Sequence, residues 1–262
     1  MLRWLRIWKR RTAIEIASEM AYKGDFFLKS IGIAVIGVIG PLIALLIYSN
    51  SKGIAGWSFE QFLLLTGLFS LASGLNSLFT MAMTFRMLEK IRDGTYDIDL
   101  VRPMRPLSYA LATSTDIDAS AEILAGIAVI SYALPKLGLH LATANVAASL
   151  LIIFLALLFF LSLNIIIVAF AFLFVNTYTL IDLFYEVAKI GKNPISVYGK
   201  TGSALLTYVF PIGLAAFYPA QALFGVLSLV EVLKLSLVAF GFLAFAIILW
   251  ELGIRKYQSA GG

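Results

Sequence analysis

Gly199-Lys200-Thr201 is the stretch most like a chemical motif, because it ends the way a phosphate-cradling loop ends. Such a loop also needs glycine at 194, where this chain has Pro194, and a buried strand before it. The tripeptide therefore reads as the entry to an apolar segment, and this chain is not expected to hydrolyse ATP. Asp182 and Glu186 stand one helical turn apart, a spacing that could serve metal binding or proton transfer. No third ligand accompanies them, so they read as a solvated helix face. Cysteine is absent and His140 is the single histidine, which removes thiolate and histidine-rich metal sites, cysteine nucleophiles and disulfides. No catalytic residue, metal ligand or cofactor-binding residue is expected.

Charges beside the apolar runs are few. Glu122 lies near one end of such a run, and Glu231 and Lys234 near the end of another. A charge at the centre of a bilayer costs at least ~2.5–3.5 kcal/mol, so ion-coupled carriers keep such groups for function. None is expected at mid-depth here. Glu122 is the nearest exception, an interfacial carboxylate that reaches the headgroups, pairs with an arginine or acts in function. Gly67, Ser70, Gly74 and Ser77 form one small, weakly polar stripe. Small residues let membrane helices approach closely and hydroxyls can bond across the contact. The stripe suits packing within the subunit, a subunit interface or a conduit wall.

The elements that would position these residues are membrane helices. Of the 262 residues, 61% are hydrophobic and 13% charged, against roughly 45–50% and about 25% in soluble domains. A span needs about 20 apolar residues, and six segments qualify: Ile31–Tyr48, Phe62–Met83, Ile117–Leu137, Val146–Val175, Ser203–Phe217 and Val232–Leu252. The runs are uninterrupted, unlike the alternating strands of a membrane barrel. With six spans, segments 1–30, 84–116, 176–202 and 253–262 share one side and hold all but three of the 20 basic residues. Only Lys52, Lys136 and Lys234 face the other side, so both termini are expected in the cytoplasm. The net charge of +5 belongs to this asymmetry, and no nucleic-acid partner is expected. No cleavable signal peptide is evident, so the first span reads as a retained anchor.

Residues 1–262 read as one all-α membrane domain without a soluble module or repeat. Within 1–29, Met1, Trp4, Leu5 and Trp8 share one helical face and Arg3, Arg6 and Arg10 another, the pattern of a helix lying in the cytoplasmic interface. It serves either as a basic anchor or as a packing element. The 84–116 loop continues as a charged helix with Arg86, Glu89, Lys90, Arg92 and Asp93, then stops at Gly94, a residue suited to a left-handed cap. An acidic turn with Asp97 and Leu100 follows, then the steps Arg102-Pro103 and Arg105-Pro106. Proline fixes its own backbone and restricts the residue before it. This stretch is therefore stiff, as a docking surface would be.

Gly94-Thr95-Tyr96-Asp97 with Leu100-Val101-Arg102-Pro103 resembles the ABC-2-type permeases, the membrane subunits of ABC exporters, in their six-span branch of this size. Asn193-Pro194, Pro211, Tyr218-Pro219 and the ending Tyr257-Gln258-Ser259-Ala260-Gly261-Gly262 extend the resemblance over the whole length. The resemblance implies a type V exporter-like fold in the cell membrane, with two permeases, the same chain or a related one, paired above separate ATP-binding subunits. ATP and Mg would belong to those subunits and none to this chain. The resemblance also makes 84–116 the ATPase-coupling loop and folds 211–230, with Pro211, Tyr218 and Pro219, into short re-entrant helices between the last two spans. The cargo expected is hydrophobic or amphipathic. A secondary transporter would instead show inverted repeats or intramembrane ionisable groups, and a non-transporting membrane scaffold or assembly protein is the other alternative.

Overall fold

The computed structural model describes residues 2–21, 23–50, 53–54, 56–139, 141–174 and 177–257, and these are almost entirely helical, with no strand among them. Lys52, His140 and the ending 258–262 lie outside the described residues. In order, the helices are α1 (Leu2–Ala21), α2 (Lys23–Asn50), α3 (Phe59–Asn76), α4 (Ala82–Arg92), α5 (Asp97–Leu100), α6 (Pro106–Thr113), α7 (Ser120–Lys136), α8 (Thr143–Ala171), α9 (Tyr178–Lys189), α10 (Gly199–Ala204), α11 (Phe217–Leu223) and α12 (Leu229–Lys256). A π-helical turn, Ser77–Met81, joins α3 to α4 without a break. Four rods are long and apolar enough to cross a membrane: Phe59–Arg92, Ile117–Lys136, Thr143–Ala171 and Leu229–Lys256. The first expected span falls within α2, whose described apolar part is Ile39–Asn50.

Two ends of the bundle can be told apart. At the distal end, Trp57 packs on Phe217 and Phe224 (5.8 and 6.1 Å), and Gly225 abuts Asn145 near the start of α8. Two capping boxes start helices here, Ser58–Gln61 for α3 and Ser228–Glu231 for α12. Each satisfies backbone donors that a helix start leaves unpaired. The Glu231 carboxylate is used in that cap, which accounts for a charge so close to an apolar run. At the opposite, loop end, Tyr96 meets Phe172 after α8 and Tyr257 after α12.

The core lies between α3 and α8. Leu64, Leu65, Ala72, Ile152, Ala156 and Phe159 are buried almost completely there. α7 runs antiparallel to α3 in close contact. A Cβ on Gly67 would lie 2.8 Å from Ile130 Cγ1, one on Gly74 2.9 Å from the Ile123 nitrogen, and one on Gly126 2.7 Å from the Leu71 nitrogen. Gly67 and Gly74 thus pack against α7 within the subunit, one of the uses their stripe suits. Ser70 and Ser77 remain half-buried.

The segment expected as a cytoplasmic loop at 176–202 is placed differently. Ile181 packs with Leu88, Ile167 and Ala171, and Tyr185 reaches Asn76 and Asn164. Gly191 lies against Phe69, and Ser196 accepts a hydrogen bond from the Trp57 indole at 3.2 Å. The contacts step from 88 through 76 and 69 to 57, so this segment climbs the bundle antiparallel to α3 and α4. The expected span Ser203–Phe217 is not one helix. Residues 199–209 descend to Phe210, which meets Phe159 and Phe184 in mid-bundle (5.4 and 6.0 Å). Pro211 ends the helix by removing a backbone donor. Ile212–Leu223 then return to the Trp57 end, and the two limbs are joined by a 2.7 Å bond between Thr207 Oγ1 and the Tyr218 hydroxyl. This hairpin holds Pro211, Tyr218 and Pro219, but it begins at 199 rather than 211.

Candidate functional site

The loop end is built on α4. This helix stops at Arg92 because Gly94 takes a left-handed conformation (φ 70°), which costs glycine no Cβ clash. The Asp93 and Tyr96 amides then bond back to the Glu89 and Lys90 carbonyls at 2.9 and 3.1 Å. The turn swings Tyr96 inward until it is 1% exposed, in a nest of Phe172 and Tyr257 rings, each 5.3 Å away. Pro106 opens α6, its fixed φ and missing N–H suiting a first helical position.

Asp99 ties the loop together. Its buried carboxylate accepts from Lys90 Nζ at 2.5 Å and Arg102 Nε at 3.2 Å, and the Arg102 guanidinium also sits 4.5 Å over Tyr109. Arg86 donates to the Thr113 carbonyl at 2.5 Å and pairs with Glu15 of α1 at 3.3 Å. Arg92 pairs with Asp93 at 2.9 Å, and Asp97 faces the Tyr257 hydroxyl. Glu89 points to solvent. Lys90 and Arg102, both expected within the coupling loop, brace that loop internally. Asp99 and Tyr96 are the residues that sequence reasoning did not single out. Their signal was the Gly-Thr-Tyr-Asp-Ile-Asp run itself, in which 96 and 99 stand three apart and so face the same side of one short helical turn.

The outward side of the same turn is apolar. Val101 is 84% and Ile98 58% exposed, with Leu100, Arg102 and Pro103 beside them. α1 is packed against this region rather than merely lying beside it. The Trp4 indole donates to the Ser108 carbonyl at 3.0 Å, Thr12 meets Thr115 at 3.4 Å, and Trp4 stacks on Trp8. Between α1 and α4 lies a recess of about 380 Å³ lined by Arg11, Arg86, Lys90, Glu89, Asp93 and Asp99, with its charges balanced.

Above the loop, at the π-helical turn, a polar cluster crosses the core. Asn164 of α8 accepts from Thr84 at 2.7 Å and donates to the Asn76 side chain at 3.0 Å and to Thr80 at 3.2 Å. The Tyr185 hydroxyl of α9 joins it. π turns inside helices occur often at functional sites. Asp182 and Glu186 do not converge on a metal. Glu186 bonds Lys189, and no set of metal-ligating side chains occurs among the described residues. Gly199-Lys200-Thr201 follows a 3-10 turn, not a strand.

A family model described as ABC-2 family transporter protein matches residues 35–261. Neither a functionally described protein nor a solved structure matches the chain. The match runs from within α2 through α12 and includes the braced loop and the 199–225 hairpin. The chain belongs to the ABC-2 transporter family, and it is a membrane component of an ABC transporter rather than a catalyst in its own right.

Proposed function

We propose that this chain is the permease subunit of an ATP-driven exporter in the cell membrane, with both termini and the loop end in the cytoplasm. Six crossings are made by α2, α3–α4, α7, α8, the climbing segment 178–198 and α12, and the 199–225 hairpin is re-entrant. Non-helical backbone at membrane depth needs protein around it, and Ile212, Leu214, Ala215 and Ala216 are buried to 1% exposure or less. A second permease, identical or related, completes the path. ATP and Mg act in ATP-binding subunits docked under the 84–116 loop.

The observation that carries this reading is the apolar Ile98–Val101 face, held outward on a loop braced by the Lys90–Asp99–Arg102 ion pairs. A connector has no use for an exposed valine on a braced turn. A docking knob does, because aliphatic side chains inserted in a partner's cleft bury area that water would otherwise surround. Ile98→Asp with Val101→Asp should abolish capture of the ATP-binding subunit in pull-down while leaving membrane insertion intact. Arg92→Glu with Arg102→Glu should weaken it too, with the added effect of loosening the turn around Asp99. Normal capture and normal transport by Ile98→Asp/Val101→Asp would remove the proposal's support.

A further inference from the structure

Lys192 sits on the 3-10 turn after α9 with Nζ 5.6 Å from the centre of the Phe69 ring. Glu122 in α7 turns its carboxylate towards the Ser73 hydroxyl and Lys192. Phe69 and Ser73 lie about 15 and 21 Å along α3 from Phe59, at 1.5 Å per residue. Both levels fall inside a hydrocarbon layer ~30 Å thick. Lys192 is nonetheless exposed, and Glu122, Ser70, Ser73 and Ser77 are half-buried.

Lipid cannot be what covers this face at low cost, because a charge at membrane depth is disfavoured by at least ~2.5–3.5 kcal/mol. Elsewhere the bundle shows what its lipid-facing surface is made of. α12 exposes Leu233, Leu237, Phe240, Phe245 and Ile248, and α8 exposes Leu150 and Phe154. The charged face differs in kind. It also continues towards the loop end, since Asp182, Glu186 and Lys189 recur at helical spacing on the exposed side of α9.

We propose that the face carrying Ser73, Glu122 and Lys192 is a water-filled wall of the transport path, and that it receives the polar headgroup of an amphipathic cargo. The inference rests on the permease reading and narrows its cargo. A group of both charge signs with hydroxyls beside it matches a zwitterionic or strongly hydrogen-bonding headgroup. A wholly apolar cargo would strip water from Lys192 and Glu122 and return nothing, which is costly for buried charges. The cargo's chain would lie along the apolar surface above.

The chain contains no cysteine, so single thiols report without background. Ser73→Cys and Lys192→Cys are introduced in the full chain in native membranes, with Phe154→Cys and Leu237→Cys as lipid-facing controls. A charged thiosulfonate should modify the first pair at least about tenfold faster than the controls, since thiolate forms only where water reaches. Slow modification at both sites, with all four thiols reached by an apolar maleimide, would overturn the aqueous wall. Ser73→Cys is nearly isosteric, so a misfolded Lys192→Cys leaves the test standing. Lysophosphatidylcholine should protect Ser73→Cys from the charged reagent several-fold and decane should not. Equal protection by both, or by neither, overturns the headgroup assignment. None of these readings needs an ATP-binding subunit, so their failure is distinct from a failed capture by the Ile98–Val101 face, which would sink the permease reading instead.

Discussion

Tyr96 carries its phenol into a nest of Phe172, Trp250 and Tyr257, where the rings meet at tilted and edge-on angles. Burial, and then the Asp99 carboxylate and Tyr257, push its pKa far above the ordinary tyrosine range, so it stays neutral at any physiological pH. Its hydroxyl has no hydrogen-bond partner among the described residues. The ring, not the hydroxyl, therefore anchors the loop to the ends of α8 and α12. Tyr96→Phe should leave the melting temperature unchanged or raise it, since an unpaired buried hydroxyl only costs free energy. Tyr96→Ala should lose about 3–5 kcal/mol from the cavity it opens. It should also weaken capture of the ATP-binding subunit, because Ile98 and Val101 would no longer be held in register. Thermal unfolding in detergent together with pull-down separates the two substitutions. Equal damage from Phe and Ala would show that the hydroxyl is bonded after all.

At the scale of elements, the α3–α7 seam is set by three glycines whose missing Cβ atoms let backbones touch. Gly126→Ala would press a methyl to 2.7 Å from the Leu71 nitrogen, where backbone cannot yield as a side-chain tip can. Overpacking of this kind costs about 1–3 kcal/mol, whereas Gly241→Ala in α12 meets nothing within 4 Å and gains up to about 1 kcal/mol of helix propensity. Opposite shifts in unfolding temperature for the two variants are the expected result. The glycine stripe on α3 was visible in the sequence, as were α7, α8, α12 and the stop at Gly94, because each leaves a hydropathy or turn signature. The climbing segment 178–198 was not. Asp182, Glu186, Lys189 and Lys192 hold its hydropathy below any membrane threshold, and only its burial of Ile181, Ala188 and Ile195 against the bundle reveals its place. Likewise Pro211 announced a break but not its depth, which depends on Phe210 stacking on Phe184 from a different segment. Asn76 and Asn164 are isolated polar residues in apolar runs, and their pairing is a fact of tertiary register alone.

Three long rods, α3–α4, α8 and α12, connect the two ends of the molecule, and only α3–α4 leads directly into the braced loop. α3 and α4 run unbroken from Phe59 to Arg92, so a push on the loop can reach the distal hairpin, provided the rod neither bends freely nor slides past its neighbours. The π turn at Ser77–Met81 is where it could bend, and the Asn164 cluster lies beside it, linking α3, α4, α8 and α9. Asn164→Leu removes the shared partner and leaves Thr84, Asn76 and Tyr185 short of a hydrogen bond in a dry setting. Each orphaned group costs about 1–3 kcal/mol, and the four helices lose the contact that sets their relative positions. The loop surface is untouched, so capture of the ATP-binding subunit should persist. Transmission should not, and hydrolysis in reconstituted vesicles should lose most of its response to cargo. A ligand can shift an equilibrium only by its differential affinity for the two states, so on the proposed reading loss of the cluster uncouples the face proposed to receive cargo from the loop. Intact capture with intact cargo stimulation would reduce the cluster to packing. Loss of both would place it upstream, in holding the loop itself.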